Sequence, residues 1–291
     1  MHQCDIIQGR VIGPPELQTI QQLLASEPPL CRTELSRSLC RLWDWRDPLG
    51  RLKDMAARTL LLKLHRRGVI TLPAPRHSQP NRLLHRQVAP VEHSTEPISA
   101  DLRPLFPLQI SELSREPSHL RLFEWLLHHY HYLSYRGTVG LNLKYLVRDA
   151  SGRPLGCMLF GSAAWRCAPR DQFIGWSSQA CQAHLQEITN NTRFLILPWV
   201  QIPHLASHIL SQVVRRVRQD WLRKYNRQLH LLETFVDTTR FVGSCYRAAN
   251  WVSLGQTTGR TRQDKHNRIV APPKAVWVYP LTQDFQTRLC A

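Results

Sequence analysis

The sequence predicts an α/β protein, with a mixed-sheet domain at residues 118–291 that follows a small helical domain at residues 1–72. Two observations carry this prediction. From about Ser118 onward, helical and strand-like hydrophobic patterns alternate, which is typical of helices packed on a mixed sheet. Between the two domains, residues 73–117 hold eight of the chain's 20 prolines and little periodicity. We expect that stretch to be a linker or a belt on the surface.

The first domain shows three helical patterns followed by one strand. The first helix is predicted to open at Pro14 and to have apolar positions up to Leu24, the second starts at Thr33, and the third covers about Leu52–Arg67, where Gly68 ends it. Val69–Leu72 is predicted as a strand. This order is that of a winged helix-turn-helix, in which the third helix enters the major groove of DNA. Its basic residues would then hold phosphates: Arg58, Lys63, Arg66 and Arg67. A three-helix bundle with solvated basic residues is the alternative.

The second domain alternates between the two patterns along its whole length. The predicted strands are Leu143–Val147, Leu155–Phe160, Arg193–Pro198, Leu229–Val236, Trp251–Leu254 and Ala275–Tyr279. The predicted helices are Leu120–Tyr130, one near Gln179–Glu187, His204–Tyr225 and Gly243–Asn250. Residues 149–153, between the first two strands, carry the residue types of a hairpin turn.

Positive charge is concentrated in the second domain. The chain has 38 Lys and Arg against 21 Asp and Glu, a formal net charge of +17. Residues 1–72 carry 11 basic and 7 acidic side chains (+4), residues 73–117 carry 5 and 5 (zero), and residues 118–291 carry 22 and 9 (+13). Such a surplus favours a polyanionic partner, above all DNA, because each phosphate contact releases a condensed counterion. A generally basic surface is the plainer alternative.

Other features exclude several classes of protein. No apolar run approaches the roughly 20 residues that span a bilayer, and the first residues lack the layout of a secretory signal. The eight cysteines are scattered and form no CxxC pair, which argues against a zinc ribbon or a disulfide framework. We therefore expect a cytoplasmic protein with reduced thiols and no membrane partner.

Three carboxylates form the first candidate site. Glu233 and Asp237 lie on one side of a predicted strand by strict alternation, and Asp171 could join them from another segment. Together they could hold Mg²⁺ and align an in-line attack on a phosphodiester. The alternative is that these acids pair with Arg193, Arg240 or Arg247.

Tyr246 and His131 form the second candidate site, together with Tyr135 and Arg247. A tyrosine could attack a phosphodiester and form a covalent link to DNA, while a histidine or a carboxylate handles the proton. An ordinary phenol is a poor nucleophile at neutral pH, so Arg247 or a metal would have to stabilise its anion. A core tyrosine that only bonds the backbone is the alternative.

Two basic surfaces are the remaining candidates for binding nucleic acid. The long predicted helix and its exit carry Arg215, Arg218, Arg223 and Lys224, and the polar loop 255–268 carries Arg260, Arg262, Lys265 and Arg268. Trp199 and Trp251 could stack on unpaired bases. A solvated helix face and a plain polar loop are the alternatives.

The order of hairpin, strand, long helix, strand, short helix and strand resembles the N-acetyltransferase (GNAT-like) fold. The ending Cys245–Gly255 resembles that fold's last helix and strand, and the resemblance implies that Tyr246 is the counterpart of a tyrosine that protonates a leaving thiolate. The fold's glycine-rich pyrophosphate loop is missing, because residues 198–207 contain two prolines and no glycine. Acetyl-CoA is therefore not expected as a cofactor.

Several sequence blocks together resemble the Druantia anti-phage protein DruA family. They are His131-Tyr132-Leu133, Lys144–Val147, Arg170–Trp176, Asn190–Pro198, His204–Ser207, Leu232–Asp237 and Cys245–Trp251. The resemblance implies a bacterial protein of a defence system or mobile element, with other proteins of that system as partners. We expect a DNA-binding protein with possible nuclease- or transposase-like chemistry. A GNAT-type acyltransferase and a non-catalytic DNA-binding adaptor are the alternatives.

Overall fold

The computed structural model describes residues 5–8, 10–47, 50–75, 86–99, 101–259 and 272–291. The chain divides into two compact units, Met1–Asn81 and Arg82–Ala291. Each unit encloses a hydrophobic core of its own. Among the residues described, no helix is long and apolar enough to cross a membrane.

The first unit is a hairpin followed by three helices. Its elements are β1 (Asp5–Ile7), β2 (Arg10–Ile12), α1 (Pro14–Leu24), α2 (Arg32–Leu42) and α3 (Asp54–Arg66). The start of α1 is fixed because the Gly13 N–H donates a hydrogen bond to the Glu16 carboxylate at 2.8 Å, and two prolines occupy its first turn. The three helices expected from the sequence are present.

The prediction of a strand over residues 69–72 is wrong. This segment is irregular, although Ile70 and Leu72 are buried in the core of the first unit. The backbone of this segment is bonded by the His65 side chain and not by a neighbouring strand. Nδ1 of His65 lies 3.1 Å from the Ile70 carbonyl oxygen and 3.4 Å from the Leu72 nitrogen. The strand of a winged helix-turn-helix is therefore absent after α3 in the described part of this unit, and the hairpin precedes the helices.

Helix α3 is amphipathic. Its buried residues are Ala57, Leu60, Leu61 and Leu64. The residues predicted to hold phosphates lie outside this face: Arg58, Lys63, Arg66 and Arg67. The Arg58 guanidinium forms an ion pair with Asp54 at 2.9 Å. DNA binding by this helix stays a prediction.

The second unit is an α/β domain built on a mixed sheet, as predicted. Its strands are β3 (Ile98–Ser99), β4 (Gln109–Glu112), β5 (Leu143–Arg148), β6 (Pro154–Ser162), β7 (Ile188–Ile196), β8 (Val200–Gln201), β9 (Leu231–Asp237), β10 (Val252–Gln256) and β11 (Lys274–Pro280). Its helices are α4 (Pro117–Tyr130), α5 (Ala168–Ile174), α6 (Ser178–His184), α7 (Leu205–Tyr225), α8 (Ser244–Ala248) and α9 (Phe285–Cys290). Strands β3 and β4 lie within the proline-rich stretch for which the sequence predicted a linker or belt.

Seven strands form the main sheet, in the order β10-β11-β9-β7-β6-β5-β4. Every neighbouring pair is antiparallel except β7 and β9, which are parallel. The predicted hairpin is present: the Asp149 N–H donates to the Arg153 carbonyl, and the Asp149 carboxylate accepts from the Arg153 N–H at 2.9 Å. The long helix α7 has the predicted buried face, with Ile209, Val213 and Val217 fully buried against the sheet.

Candidate functional site

A cleft opens where the two parallel strands separate. Strands β7 and β9 pair over three residues only, from Ile188 opposite Leu231 to Asn190 opposite Glu233. Beyond this point, residues 191–196 and 234–237 line the walls of a cavity of about 740 Å³. On its other side β7 has an irregular register with β6, in which Thr192 is an extra residue. Such a bulge bends a strand locally, so it helps to carry β7 away from β9.

Cations outnumber acids in the wall of this cleft. Arg193, Arg240 and Lys274 line it, against Asp237 as the acidic residue. The half-buried Arg193 donates from Nε to the Ser134 carbonyl at 3.2 Å and from Nη1 to the Thr192 carbonyl at 2.7 Å. Within the described part of the chain, none of the three cations has a carboxylate oxygen within ion-pair distance. The cleft therefore carries excess positive charge.

Asp237 balances only part of this charge. The Thr239 hydroxyl donates to its carboxylate at 2.6 Å and the Thr239 N–H donates at 3.1 Å. The Thr239 hydrogen bond lowers the pKa of Asp237, and Lys274 and Arg240 lower it further. Asp237 is thus ionised at neutral pH, and three positive charges against one negative charge leave a formal balance of +2 at the cleft.

His131, predicted as a proton-handling residue, lines the same cleft and is neutral. Burial, then Arg193 and then Arg240, lower its pKa to about 4. Its Nδ1 accepts a hydrogen bond from the Leu133 N–H at 3.1 Å. A neutral imidazole carries one proton, so that proton is on Nε2. His131 therefore carries a hydrogen-bond donor at Nε2 and is not a base there at neutral pH.

Tyr246, the predicted nucleophile, also lines the cleft. Its hydroxyl donates a hydrogen bond to Asn191 Oδ1 at 2.7 Å, and its ring packs against Trp251 and Trp277. Burial raises the pKa of Tyr246 far above its ordinary value. Arg247, which was expected to stabilise a phenolate, is exposed. The structure thus gives this phenol a fixed partner and disfavours its anion.

The mouth of the cleft is lined by exposed apolar side chains. Phe241 is 51% exposed and Val242 is 83% exposed. The Tyr132 ring lies 5.5 Å from the Phe241 ring, centroid to centroid, and the Arg240 guanidinium lies 4.8 Å from the Tyr132 centroid. The sequence prediction named other aromatic residues: Trp251 is buried in the core, and Trp199 packs against Tyr130 and His93.

The predicted carboxylate metal site is not formed. The Arg170 guanidinium lies between two of its three members, 2.6 Å from the Asp171 carboxylate and 2.7 Å from the Glu233 carboxylate. Glu233 also accepts from the Ala164 N–H at 2.6 Å. Asp237 lies in the cleft wall instead. Among the described residues, no group of three or more His, Cys, Asp or Glu side chains could hold a metal ion.

The predicted basic surface of α7 is partly occupied by contacts within the chain. Lys224 contacts Glu112 at 3.3 Å and donates to the Asn142 carbonyl at 2.8 Å. Arg223 lies 3.5 Å from Asp220, and Arg218 donates to the Gln228 side chain. Arg215 is exposed. The remaining predicted contacts lie outside the described residues: Arg260, Arg262, Lys265 and Arg268.

Sequence reasoning missed the residues that give the cleft its charge. It treated Arg193 and Arg240 as partners for acids, whereas Arg170 is the partner of Asp171 and Glu233. A signal was present, because the polar run Thr189–Arg193 directly precedes the apolar residues Phe194–Ile196 of the same strand.

The comparison with known families decides the assignment. The family model described as "Druantia protein DruA" matches residues 63–275. The chain belongs to the DruA family. No curated protein matches it.

Among solved structures, this DruA protein is similar to spermidine N-acetyltransferase from Vibrio cholerae in complex with CoA and spermine. The TM-score is 0.39 and the identity 11%, over 63% of this chain and 98% of that one. The same enzyme in complex with manganese ions gives a TM-score of 0.36 and 12% identity, over 62% and 96% of the two chains. Values this low transfer no activity, and the GNAT-like fold stays a prediction.

Proposed function

We propose that this DruA protein is a DNA-binding component of the Druantia anti-phage defence system, and that the cleft between β7 and β9 contacts the phosphodiester backbone. The observation that carries the proposal is the charge of the cleft. Arg193, Arg240 and Lys274 have no ion-pair partner among the described residues, and one carboxylate faces them. The family membership supports the defence role.

The position of Arg193 favours an anionic ligand. A half-buried guanidinium without a counter-charge is unfavourable in the free protein, and burial indeed lowers the pKa of Arg193. Its two backbone partners use Nε and Nη1, and a guanidinium has five N–H donors. A phosphate oxygen would supply both the missing charge and a charge-assisted hydrogen bond.

The overall charge favours a polymer over a small anion. A net charge of +17 over 291 residues raises the local concentration of any polyanion and its rate of association. Several exposed cations would then add phosphate contacts beyond the cleft, with Arg215 among them. Binding of this kind weakens steeply with salt.

The binding test is fluorescence anisotropy with labelled single-stranded, hairpin and duplex DNA, between about 50 and 200 mM salt. We expect the logarithm of the affinity to fall linearly with the logarithm of the salt concentration. Arg193→Gln should weaken binding about 10- to 100-fold, as expected for a lost charge-assisted hydrogen bond, and should reduce the salt slope by about 1.

Arg288→Gln is the matched control, because it removes the same charge from an exposed residue of α9 that pairs with Asp284 and does not line the cleft. Binding that ignores salt would contradict the proposal. So would DNA binding that Arg193→Gln and Arg288→Gln leave equally strong.

The same samples separate the proposal from the other functions. Incubation with Mg²⁺ or Mn²⁺ reveals DNA fragments or covalent adducts, and Tyr246→Phe tests whether an adduct needs the phenol. Intact DNA in all samples would indicate a binding adaptor. Calorimetry with acetyl-CoA tests acyl transfer, for which we expect no heat, since Pro198 and Pro203 lack amide donors just before α7.

A further inference from the structure

We infer that the cleft takes one unpaired nucleotide, whose base stacks on Phe241 at the mouth while Arg193 and Arg240 hold the adjoining phosphate. This inference rests on the proposed DNA binding and specifies its ligand: single-stranded or locally unpaired DNA rather than intact duplex. Its basis is the combination of a cationic cleft with an exposed aromatic ring at its entrance.

The backbone around Phe241 has a defined conformation. The Phe241 N–H and that of Arg240 both donate to the Asp237 carbonyl, at 2.9 and 3.1 Å. At the other end of this turn, Gly243 has a φ of +72°, and a side chain there would collide with Trp277. The turn is thus anchored on both sides, and the exposure of Phe241 follows from a defined backbone.

Of the two rings at the mouth of the cleft, Phe241 is the more open to a ligand. Tyr132 already stacks on His131 at 4.8 Å and carries the Arg240 guanidinium at 4.8 Å. Phe241 contacts Tyr132 in a tilted arrangement, at an angle of 59°, and half of its surface remains exposed. Tyr132 therefore supports Phe241 from one side, and Phe241 offers the stacking surface.

The cleft combines exposed apolar side chains with positive charge. Isolated exposed apolar residues are common, but here Tyr132, Leu133, Phe241 and Val242 all line one cleft whose wall is positively charged. An apolar protein partner would leave those cations without counter-charge. A nucleotide satisfies both parts, with a flat base for the ring and a phosphate for the guanidinium groups.

The volume of the cavity suits a single nucleotide. A cavity of about 740 Å³ lies within the usual range of small-ligand sites, roughly 300 to 1,000 Å³. A DNA duplex is far too wide to enter, whereas one extruded or unpaired nucleotide fits. Stacking on an aromatic side chain contributes about 1–3 kcal/mol per base, which corresponds to roughly 5- to 150-fold in affinity.

The test uses the full chain and an oligonucleotide that contains one 2-aminopurine, whose fluorescence is quenched when the base stacks. We expect quenching with the wild-type protein and with Phe241→Trp, and its loss with Phe241→Leu. Phe241→Leu should weaken single-strand binding at least about 5-fold and leave duplex binding unchanged. Trp165→Leu is the matched control, because Trp165 is a similarly exposed aromatic residue (54%) that does not line the cleft.

The outcomes distinguish the two proposals. If Arg193→Gln weakens binding but Phe241→Leu changes neither the quenching nor the ratio of single-strand to duplex affinity, this inference fails and the proposed DNA binding stands. If the wild-type protein shows no salt-dependent binding to any DNA, both fail. Equal thermal unfolding midpoints for the wild type and Phe241→Leu, expected for an exposed side chain, exclude misfolding as the cause of a loss.

Discussion

Arg170 and Arg193 are two guanidinium groups of the same domain in opposite electrostatic situations. Arg170 is fully buried and bonded to two carboxylates, Asp171 and Glu233. Burial lowers its pKa, but the two carboxylates more than offset this, and the pKa of Arg170 is raised. Arg193 has two carbonyl oxygens as partners, and burial lowers its pKa.

The charge of Arg170 is neutralised within the protein, whereas the charge of Arg193 is not. Arg170 and its two acids connect α5 and the loop at Ala164 to strand β9, and the network is complete without a ligand. Arg193 has two carbonyl partners, and in the proposed function a phosphate supplies the counter-charge that it lacks. Two of the three acids that looked catalytic in the sequence, Asp171 and Glu233, therefore belong to the structural network, whereas Asp237, Arg193 and Arg240 line the cleft.

The largest expected effect comes from breaking the structural network. Glu233→Ala would leave the fully buried Arg170 with one carboxylate, and removal of one member of a buried ion pair costs about 3–5 kcal/mol. The free energy of unfolding, measured by urea denaturation, should fall by that amount. Glu233→Gln keeps a hydrogen-bond acceptor and should lose less. A loss below about 1 kcal/mol for Glu233→Ala would contradict the assigned role.

The second expected effect is a loss of folding stability at acidic pH, which His131 causes. Its pKa in the folded protein is about 4, against about 6.5 when unfolded. Between these pH values only the unfolded chain takes up the proton, so stability is lost as the pH falls from 6.5 to 4, by about 3 kcal/mol in total. His131→Asn keeps an acceptor for the Leu133 N–H and should remove this part of the pH dependence. Parallel stability curves for the two proteins would contradict it.

The smallest effect on stability is expected at Arg193, in contrast to Arg170. Arg193 has no counter-charge in the free protein. Arg193→Gln should therefore leave the free energy of unfolding within about 0.5 kcal/mol of the wild type, or raise it by up to about 1 kcal/mol. Such a gain is common where a residue serves function at the expense of stability. Thermal unfolding without DNA measures this. A loss of more than about 2 kcal/mol would show that Arg193 has a structural role.

Much of the fold was predictable because hydrophobic periodicity determines where long elements lie. Helix α7 and the hairpin of β5 and β6 follow from it directly. Helix α5 was not predicted, because it has only seven residues, with a proline in its first turn, and so short a segment does not display a helical hydrophobic period. The expected strand over 69–72 failed because the His65 side chain took the place of a neighbouring strand.

The candidate site was predictable only in part. His131, Asp237 and Tyr246 do line one cleft, since His131 follows α4, Asp237 ends β9 and Tyr246 lies in the short helix α8, and the sequence pattern located all three elements. The pairing of Arg170 with Asp171 and Glu233 depends on how α5 packs on β9, and hydrophobic pattern does not encode that. The exposed Phe241 could not be distinguished from a core residue by composition alone.

The two hydrophobic cores are formed separately, and this bears on the cleft. One core is drawn from residues 7–72 and the other from residues 98–277. Every residue that lines the cleft lies in the second unit and within the match to the DruA family, residues 63–275. The packing that shapes the cleft is therefore that of the second unit's own core.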